Sequence, residues 1–322
     1  MKPETTVLKT GEALRIECIV APDNARARLI ELFLQHKPGP YRAHIRAALA
    51  NECGDLETRF YIGLLNAELV GNIMTTEYRG IGILGHVHTR QDQRRKGICS
   101  AIMSRQMADF DFRHGSTLLL GTGYKSAAYR IYESFGFRDW PIGERGAMRF
   151  DSPAAEHRLE SAAKSAGLRV SPAQWRHWPA VALLAASPGR GIVRSVSMGV
   201  WSVRLLEGAY CRFMAEEEGG ERGAVLEASG GEVAAFATCM PDPRWPEVWL
   251  VDLIAHPFVE ARDLTRLLER TMPHGTRRQA YADPEDTTRI AALKMSGFKE
   301  EATLRRQLCV DGLWRDVQLY GC

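Results

Sequence analysis

The densest chemistry in the sequence lies in Thr89-Arg90-Gln91-Asp92-Gln93-Arg94-Arg95-Lys96-Gly97-Ile98-Cys99-Ser100. A strand-like run ends here, a basic turn with one glycine follows, and helical spacing begins. The first turn of a helix carries N–H groups without intrahelical acceptors, at the positive end of the helix dipole, so it attracts phosphate oxygens. Gly97 lets a ligand approach the backbone closely, and Arg94, Arg95 and Lys96 add positive charge at the same point. The expected ligand group is a pyrophosphate. The basic turn and helix start match neither GxxxxGKS/T nor GxGxxG, so this segment is not a P-loop or a dinucleotide fingerprint. His86 and His88 stand two apart on the preceding strand and therefore share a face. An ordinary pKa near 6.5 suits them to proton transfer near neutral pH. No third ligand stands near the pair, so no metal is expected. Cys99 opens a helix but has no neighbouring histidine to activate it, and it reads as structural.

A second landmark lies downstream. Arg94-x-x-Gly97-x-Cys99 resembles the Q/R-x-x-G-x-G/A motif of the GNAT acyltransferase superfamily, which binds the pyrophosphate of acetyl-CoA. Lys125-Ser-Ala-Ala128-Tyr-Arg-Ile-Tyr132-Glu-Ser-Phe-Gly136-Phe137 resembles that family's later N-x-x-A-x-x-x-Y-x-x-x-G-F segment. Cys99 stands where the family has Gly or Ala, and Lys125 where it often has Asn. The resemblance covers roughly residues 12–150. It implies acetyl-CoA held by His88, Thr89, Arg90, Arg94, Arg95, Lys96, Gly97, Ile98, Cys99, Ser100, Lys125, Ala128 and Tyr132. It also implies Tyr132 as the acid that protonates the leaving thiolate, with His88 and then His86 as candidate bases. The plainer reading of Tyr132 is a buried core tyrosine. Leu120–Thr122 would flank the thioester slot, and the Gln35–Arg42 turn is a candidate for acceptor specificity.

The elements that must position these residues follow from periodicity. Leu14–Ala21 is strand-like, and Ala25–His36 and Tyr41–Asn51 have helical spacing around Lys37-Pro38-Gly39-Pro40. Arg59–Leu65 and Leu69–Thr76 form a hairpin, Ile83–Arg90 a strand, Gly97–Arg113 a helix, Thr117–Leu120 a strand and Ala127–Phe135 a helix closed by Gly136. A boundary falls near Asp151-Ser152-Pro153, followed by a helix over Ala154–Ala166. Ser171-Pro172 has the form of an N-cap with proline at the first helical position, and Pro179 should break that helix. Helical spacing returns over Ser202–Glu217. The order of the first half then recurs: a hairpin over Ala224–Ala228 and Val233–Met240, the strand Val248–His256, a helix through Leu264–Met272, the strand Gln279–Ala282, a helix over Thr287–Ser296, and two last strands. Ser134-Phe-Gly136-Phe137 returns as Ser296-Gly297-Phe298. Such a repeat predicts two copies of one unit.

The predicted fold class is α/β with mixed sheets (α+β in character): two tandem GNAT-like domains, residues 1–150 and 151–322, each a mixed, mostly antiparallel sheet flanked by helices. In the second copy, Asp263 and Thr265 fall at the glycine positions of the motif, and a carboxylate at a helix mouth would repel a diphosphate. That copy reads as degenerate, without a CoA motif.

Composition narrows the partners. Forty-two Lys+Arg against 39 Asp+Glu give a net charge of +3, which argues against nucleic acid or an anionic membrane as the main partner. No apolar run reaches the ~20 residues of a membrane span, and MKPETTVLKTGEALR carries no apolar leader. Seven scattered cysteines without CxxC fit reduced thiols in a cytoplasm. The expected activity is acetyl-CoA-dependent N-acyl transfer to the amine of a small molecule by direct attack in a ternary complex, by a monomer or homodimer. The alternatives are O-acyl transfer on the same fold and a non-catalytic acyl-CoA or metabolite sensor.

Overall fold

The computed structural model describes residues 3–140, 145–152, 158–165, 167–216, 222–272 and 275–322. Two compact units divide the chain, the first holding the elements up to Asp151 and the second those from Arg158. In chain order the first has β1 (Glu4–Val7), β2 (Ala13–Val20), α1 (Ala27–Phe33), α2 (Gly39–Leu49), β3 (Glu57–Leu65), β4 (Glu68–Tyr78), β5 (Ile81–Thr89), α3 (Ile98–Phe112), β6 (Thr117–Gly121), α4 (Ala127–Ser134), β7 (Arg138–Asp139) and β8 (Ala147–Asp151). Its sheet runs β1-β2-β3-β4-β5-β6-β8-β7. Only β5 and β6 pair in parallel; the other neighbours are antiparallel.

Alternation along the strands sorts the apolar side chains onto two faces. Phe60, Ile62 and Met74 pack with Ile30, Leu34, Ile45 and Leu49 of the α1–α2 segment. Tyr61, Ile73, Leu84 and Leu118 pack on the other face with Ile98, Ile102 and Phe110 of α3 and Tyr129 and Tyr132 of α4. Asn66 and Ala67 adopt φ of 49° and 66°, the twist that closes a two-residue β3–β4 hairpin. Gly63 and Gly71 face each other across that hairpin. A Cβ on Gly71 would come within 2.8 Å of Ile102 Cδ1, and one on Gly63 within 2.9 Å of the same atom. The paired glycines therefore let the start of α3 lie directly on the sheet.

The far end of α3 is fixed by a polar cluster. Asp109, 3% exposed, accepts hydrogen bonds from the Tyr61 hydroxyl and from Arg113 Nε at 3.1 Å. Arg113 also forks onto Glu77 at 2.6 and 2.9 Å. Both ends of α3 are thus tied to β3 and β4, which fixes the helix axis and the place where its N-terminus opens.

The second unit has α5 (Arg158–Ala163), β9 (Arg169–Pro172), α6 (Trp178–Ala185), β10 (Val193–Ser195), β11 (Val200–Trp201), α7 (Gly208–Ala215), β12 (Gly223–Glu227), β13 (Val233–Pro241), β14 (Val248–Ala255), α8 (Ala261–Thr271), β15 (Arg277–Ala282), α9 (Thr287–Met295), β16 (Lys299–Val310) and β17 (Leu313–Gly321). Its sheet, β9-β12-β13-β14-β15-β17-β16, repeats the order β2-β3-β4-β5-β6-β8-β7, and its one parallel pair, β14–β15, falls where β5–β6 does. The fold class read from the sequence is the one observed. Among the described residues, no helix is long and apolar enough to cross a membrane.

Some expectations are corrected. Ser171-Pro172 ends β9 rather than opening a helix. The helix begins at Trp178, so Pro179 sits in its first turn, where a missing N–H costs nothing, and no break follows. The helix expected over Ser202–Glu217 is the shorter α7. Pro153, Ala154–His157, Ala166 and Glu217 of the expected boundary and helices lie outside the described residues. Asp109→Ala should destabilise the first unit by about 3–5 kcal/mol, the usual cost of removing one partner from a buried charged cluster. Urea unfolding measures this, and a loss below about 1 kcal/mol would show that Arg113 is held by Glu77 alone.

Candidate functional site

β5 and β6 pair only from Ile81–Ile83 to Thr117–Leu119. Beyond that point β5 runs on to Thr89 and β6 to Gly121 without further pairing to each other. A parallel pair that parts leaves a wedge whose inner edge carries backbone N–H and C=O groups. Across β5, Asn72 pairs with His88 and Met74 with Gly85, so β5 holds one extra residue, a β-bulge. His86 takes φ of 51° there. Two side chains hold the bulge: Asn72 Nδ2 donates to the His86 carbonyl at 3.1 Å, and Lys37 Nζ to the Val87 carbonyl at 3.3 Å.

The bulge sets the faces. Val87 packs toward the α3 side, while His86 and His88 both lie toward α1 and α2. His88 lies edge-on to Phe33 at 5.2 Å and against His36 at 4.1 Å between ring centroids. His86 meets Tyr41 at 5.3 Å and His44 at 6.1 Å, and its Nε2 has no hydrogen-bond partner. Four histidines are thus gathered on this face. Burial is the main cause that depresses all four. His44 falls to about 3 and His86 well below its ordinary value, with the charges of His44, Lys37 and His36 adding for the latter. His88 falls to about 4, helped by His36, Lys37 and Arg94, and His36 is lowered as well. The ordinary histidine range expected from the sequence is corrected accordingly: these rings are neutral at neutral pH. Lys37 is also lowered by burial.

At the mouth of the wedge, Gly97 is the N-cap of α3 with φ of 90°, and nothing lies within 4 Å of where its Cβ would be. The first i→i−4 bond of α3 runs from Ala101 N to Gly97 O at 3.0 Å, so the N–H groups of Ile98, Cys99 and Ser100 precede it. Arg95 also has a left-handed backbone, with φ of 68°. The cations beside them divide into two sets. Arg90 is engaged by Glu68 at 2.8 Å and Asp92 at 2.6 Å, and Lys96 by Glu12 at 2.9 Å. Arg94 donates to the Thr89 carbonyl at 3.3 Å. Among the described residues, neither Arg94 nor Arg95 has a carboxylate partner, so the uncompensated charge at the turn is theirs. Burial pushes the Cys99 thiol up to about 11, which keeps it protonated.

On the far side of β6, Ser126 caps α4 by accepting from Tyr129 N at 3.1 Å. Lys125, with φ of 55°, lays its ammonium over the Tyr124 ring at 5.2 Å. Ala128 packs against the same core cluster as Cys99. Tyr132 belongs to that cluster, is 4% exposed, and meets Phe137 at 6.1 Å. The motif residues therefore flank the wedge from both helices, while His86 stands apart in an enclosed group.

The sequence pointed to His36 and Lys37 only as members of the Gln35–Arg42 turn, and not to His44 or Asn72. A signal for His44 exists: it falls on the apolar stripe of α2 with Ile45, Ala48 and Leu49, where a polar residue is unexpected.

The second unit's copy differs at the same place. The residue at the position of Gly97 is Glu260, the N-cap of α8, rather than Asp263, which is the third helical residue and pairs with Arg266 at 3.0 Å. The shift arises because the loop between β14 and α8 is shorter than that between β5 and α3. An acidic helix mouth remains. The wedge past the β14–β15 pairing is also filled: Asp252 accepts from the backbone of Val196 and Ser197 at 2.7 and 2.9 Å, and Asp283 from Val193 N at 2.8 Å.

No family model matches the chain, and no curated protein does. Solved structures are similar over about half of it. An N-acetyltransferase from Staphylococcus aureus Mu50 is 17% identical, with TM-score 0.40, covering 49% of this chain and 98% of its own. Similar too are yncA from Salmonella typhimurium, solved with its cofactor acetyl-CoA (15% identical, TM-score 0.39, 48% and 92%), and ribosomal-protein-alanine N-acetyltransferase from Brucella melitensis (16%, TM-score 0.38, 48% and 99%).

Depressed histidines make stability depend on pH with a definite sign. Between pH 6.5 and 3 an unfolded chain takes up a proton that native His44 refuses, so stability present above pH 6.5 is lost as pH falls toward 3. The slope is at most about 1.4 kcal/mol per pH unit per histidine. His44→Leu should make the fall in urea-unfolding free energy from pH 7 to 4.5 shallower. An unchanged slope would mean that His44 is protonated in place.

Proposed function

We propose that the first unit, residues 1–150, is an acetyl-CoA-dependent N-acyltransferase acting on a small-molecule amine by direct attack in a ternary complex, and that residues 151–322 form a degenerate GNAT-like domain without a CoA site. The observation that carries this reading is the parting of β5 from β6 beside a helix mouth opened by left-handed Gly97. The residues present fit the cofactor. The pyrophosphate would be held by the N–H groups of Ile98, Cys99 and Ser100, with Arg94 and Arg95 supplying charge. The pantetheine amides would pair with the free edge of β5 as an added strand does. When bound, acetyl-CoA supplies an activated carbonyl with a good leaving group.

The chain's own residues divide the proton work. Neutral rings on the α1–α2 side leave the cleft without a fixed positive charge on its histidines, so an amine can approach. An imidazole near 4 is too weak a base to strip a free alkylammonium, whose pKa is about 10. His88 instead accepts the proton from the attacking nitrogen once the C–N bond has formed and that nitrogen has become acidic. His86, enclosed between Tyr41 and His44, is assigned to shaping the bulge. The Tyr132 hydroxyl donates to the departing sulfur; its place on α4, the helix that follows β6, supports this role. The turn from Gln35 to Arg42 brings His36 and Lys37 to His88 and Val87, which supports it as a specificity element. The seven free thiols support a cytoplasmic setting.

Isothermal titration of acetyl-CoA should give one site per chain, abolished by Gly97→Glu with helix content retained; a stoichiometry of two would sink the degenerate second copy. With an acceptor in hand, Tyr132→Phe should leave acetyl-CoA affinity nearly unchanged and lower kcat by about 10²–10⁴-fold. An unchanged kcat would return Tyr132 to the core. Tight binding without release of free CoA across an amine panel would favour the sensor.

A further inference from the structure

Lys37 brings an ammonium to the open edge of β5. Arg90 N donates to Val70 O at 2.9 Å, and His88 stands opposite Asn72. Main-chain groups alternate sides along a strand, so His88 and Arg90 turn theirs to β4, while Val87 and Thr89 turn theirs away, into the wedge. There the Thr89 carbonyl is met by Arg94 and the Val87 carbonyl by Lys37 Nζ at 3.3 Å. Lys37 thus reaches from the α1–α2 side to the edge where the acyl donor would lie, one residue from His88.

This ammonium lacks a counter-ion. Among the described residues, no carboxylate lies within ion-pair distance of it, and burial lowers its pKa with no acid to offset that. An ammonium offers three donors, and Val87 takes one. The rings of His36, His86 and His88 stay neutral beside it. The acids of the basic turn and its surroundings are committed, Glu68 and Asp92 to Arg90 and Glu12 to Lys96. Burying a cation without a partner is costly, and an anion arriving beside it would offset that cost. Lys37 and His88 are half-buried and His36 is exposed, so a ligand can reach them.

The helices on this side are positive as well. An open groove of about 230 Å³ between α1 and α2 is lined by Gln35 and Arg42, the two ends of the same turn, together with Arg28 and Arg46. None of these three arginines is paired with a carboxylate among the described residues, and Glu31 is the single acid in the lining. An acceptor that is only a cation is repelled by this side and meets no uncommitted acid beside Lys37; one that also carries an anion is drawn in.

We propose that the acceptor is an amine bearing a carboxylate, and that Lys37 binds this carboxylate while His88 faces the amine nitrogen. The proposal rests on the acyl-transfer reading of the first unit and names its substrate class. Neighbouring residues of a strand stand about 3.3 Å apart, so the two groups suit an amino acid with one or two carbons between nitrogen and carboxylate.

The test uses the full chain labelled with ¹³Cε-lysine. The Lys37 NMR signal is assigned by its loss in Lys37→Met. N-acetylglycine, which has the carboxylate, is titrated at constant ionic strength, with N-methylacetamide as the comparator that lacks it. The expected result is a saturable shift of the Lys37 signal with N-acetylglycine alone. The ionisation midpoint of Lys37 should also rise on binding, because a carboxylate favours the charged form. Calorimetry should show N-acetylglycine bound about 10- to 100-fold more weakly by Lys37→Met, the worth of a charged hydrogen bond. Lys37→Arg keeps the cation and should retain most of the affinity, which separates lost charge from a disturbed bulge. In turnover, kcat/KM should favour an amino acid over its decarboxylated amine, tyrosine over tyramine for instance, and Lys37→Met should erase the preference. No saturable shift, an equal response to N-methylacetamide, or binding that survives Lys37→Met would each overturn the proposal, as would tyramine outrunning tyrosine. Failure of the acyl-transfer reading has a different signature: calorimetry would find no acetyl-CoA site, whatever N-acetylglycine does to Lys37.

Discussion

Parallel pairing between β5 and β6 ends after three residues, and the first unit's site depends on that ending. A sheet that stayed closed would consume the edge of β5 in hydrogen bonds and leave no slot. The bulge at His86 is part of the same constraint. It adds a residue to β5, turns Val87 to one face and two histidines to the other, and increases the local twist. An unsupported bulge would expose two carbonyls in a buried place. Asn72 and Lys37 satisfy them, which makes these two residues as much a part of the site as the motif that follows.

The α3 helix then completes what the bulge begins. Its N-terminus is useful only if it is held over the wedge, and the sequence holds it at both ends. Gly63 and Gly71 give its first turns a flat seat, and the Asp109–Arg113–Glu77 cluster fixes its last turn. Gly97 frees the entrance. Each of these residues lies on a different element, and none would signal a binding site alone.

Much of this was legible in the sequence. The hairpin signal about Asn66-Ala67-Glu68, the helical run after Gly97 and the recurring Gly-Phe landmarks pointed to the elements and the repeat, and the strand order of the two sheets agrees. The parts that escaped are set by tertiary packing. His36 and His44 come from helices and meet His88 and His86 only when α1 and α2 dock on the sheet. Their burial, which lowers every ring, has no local pattern to reveal it. Pro179 was misplaced because a proline reads alike at a helix start and at a break; the preceding strand, β9, decides the matter. The four-residue edge strand β1, exposed along most of its length, offered no alternation to detect.

Duplication explains how the two units can share a framework and differ in chemistry. Both sheets part at the same place, so both copies inherit unpaired backbone at a strand edge. In the first copy that edge stays open beside Gly97, the left-handed N-cap of α3. In the second it is covered by the segment from Val193 to Ser197, whose N–H groups go to Asp252 and Asp283. Arg289 closes the remainder by donating to Leu253, the strand residue just past the parallel pairing. Filling a wedge with a guanidinium has a consequence that filling it with a leucine would not. Only one edge of the group meets backbone carbonyls, and the other must face something polar or stay unsatisfied.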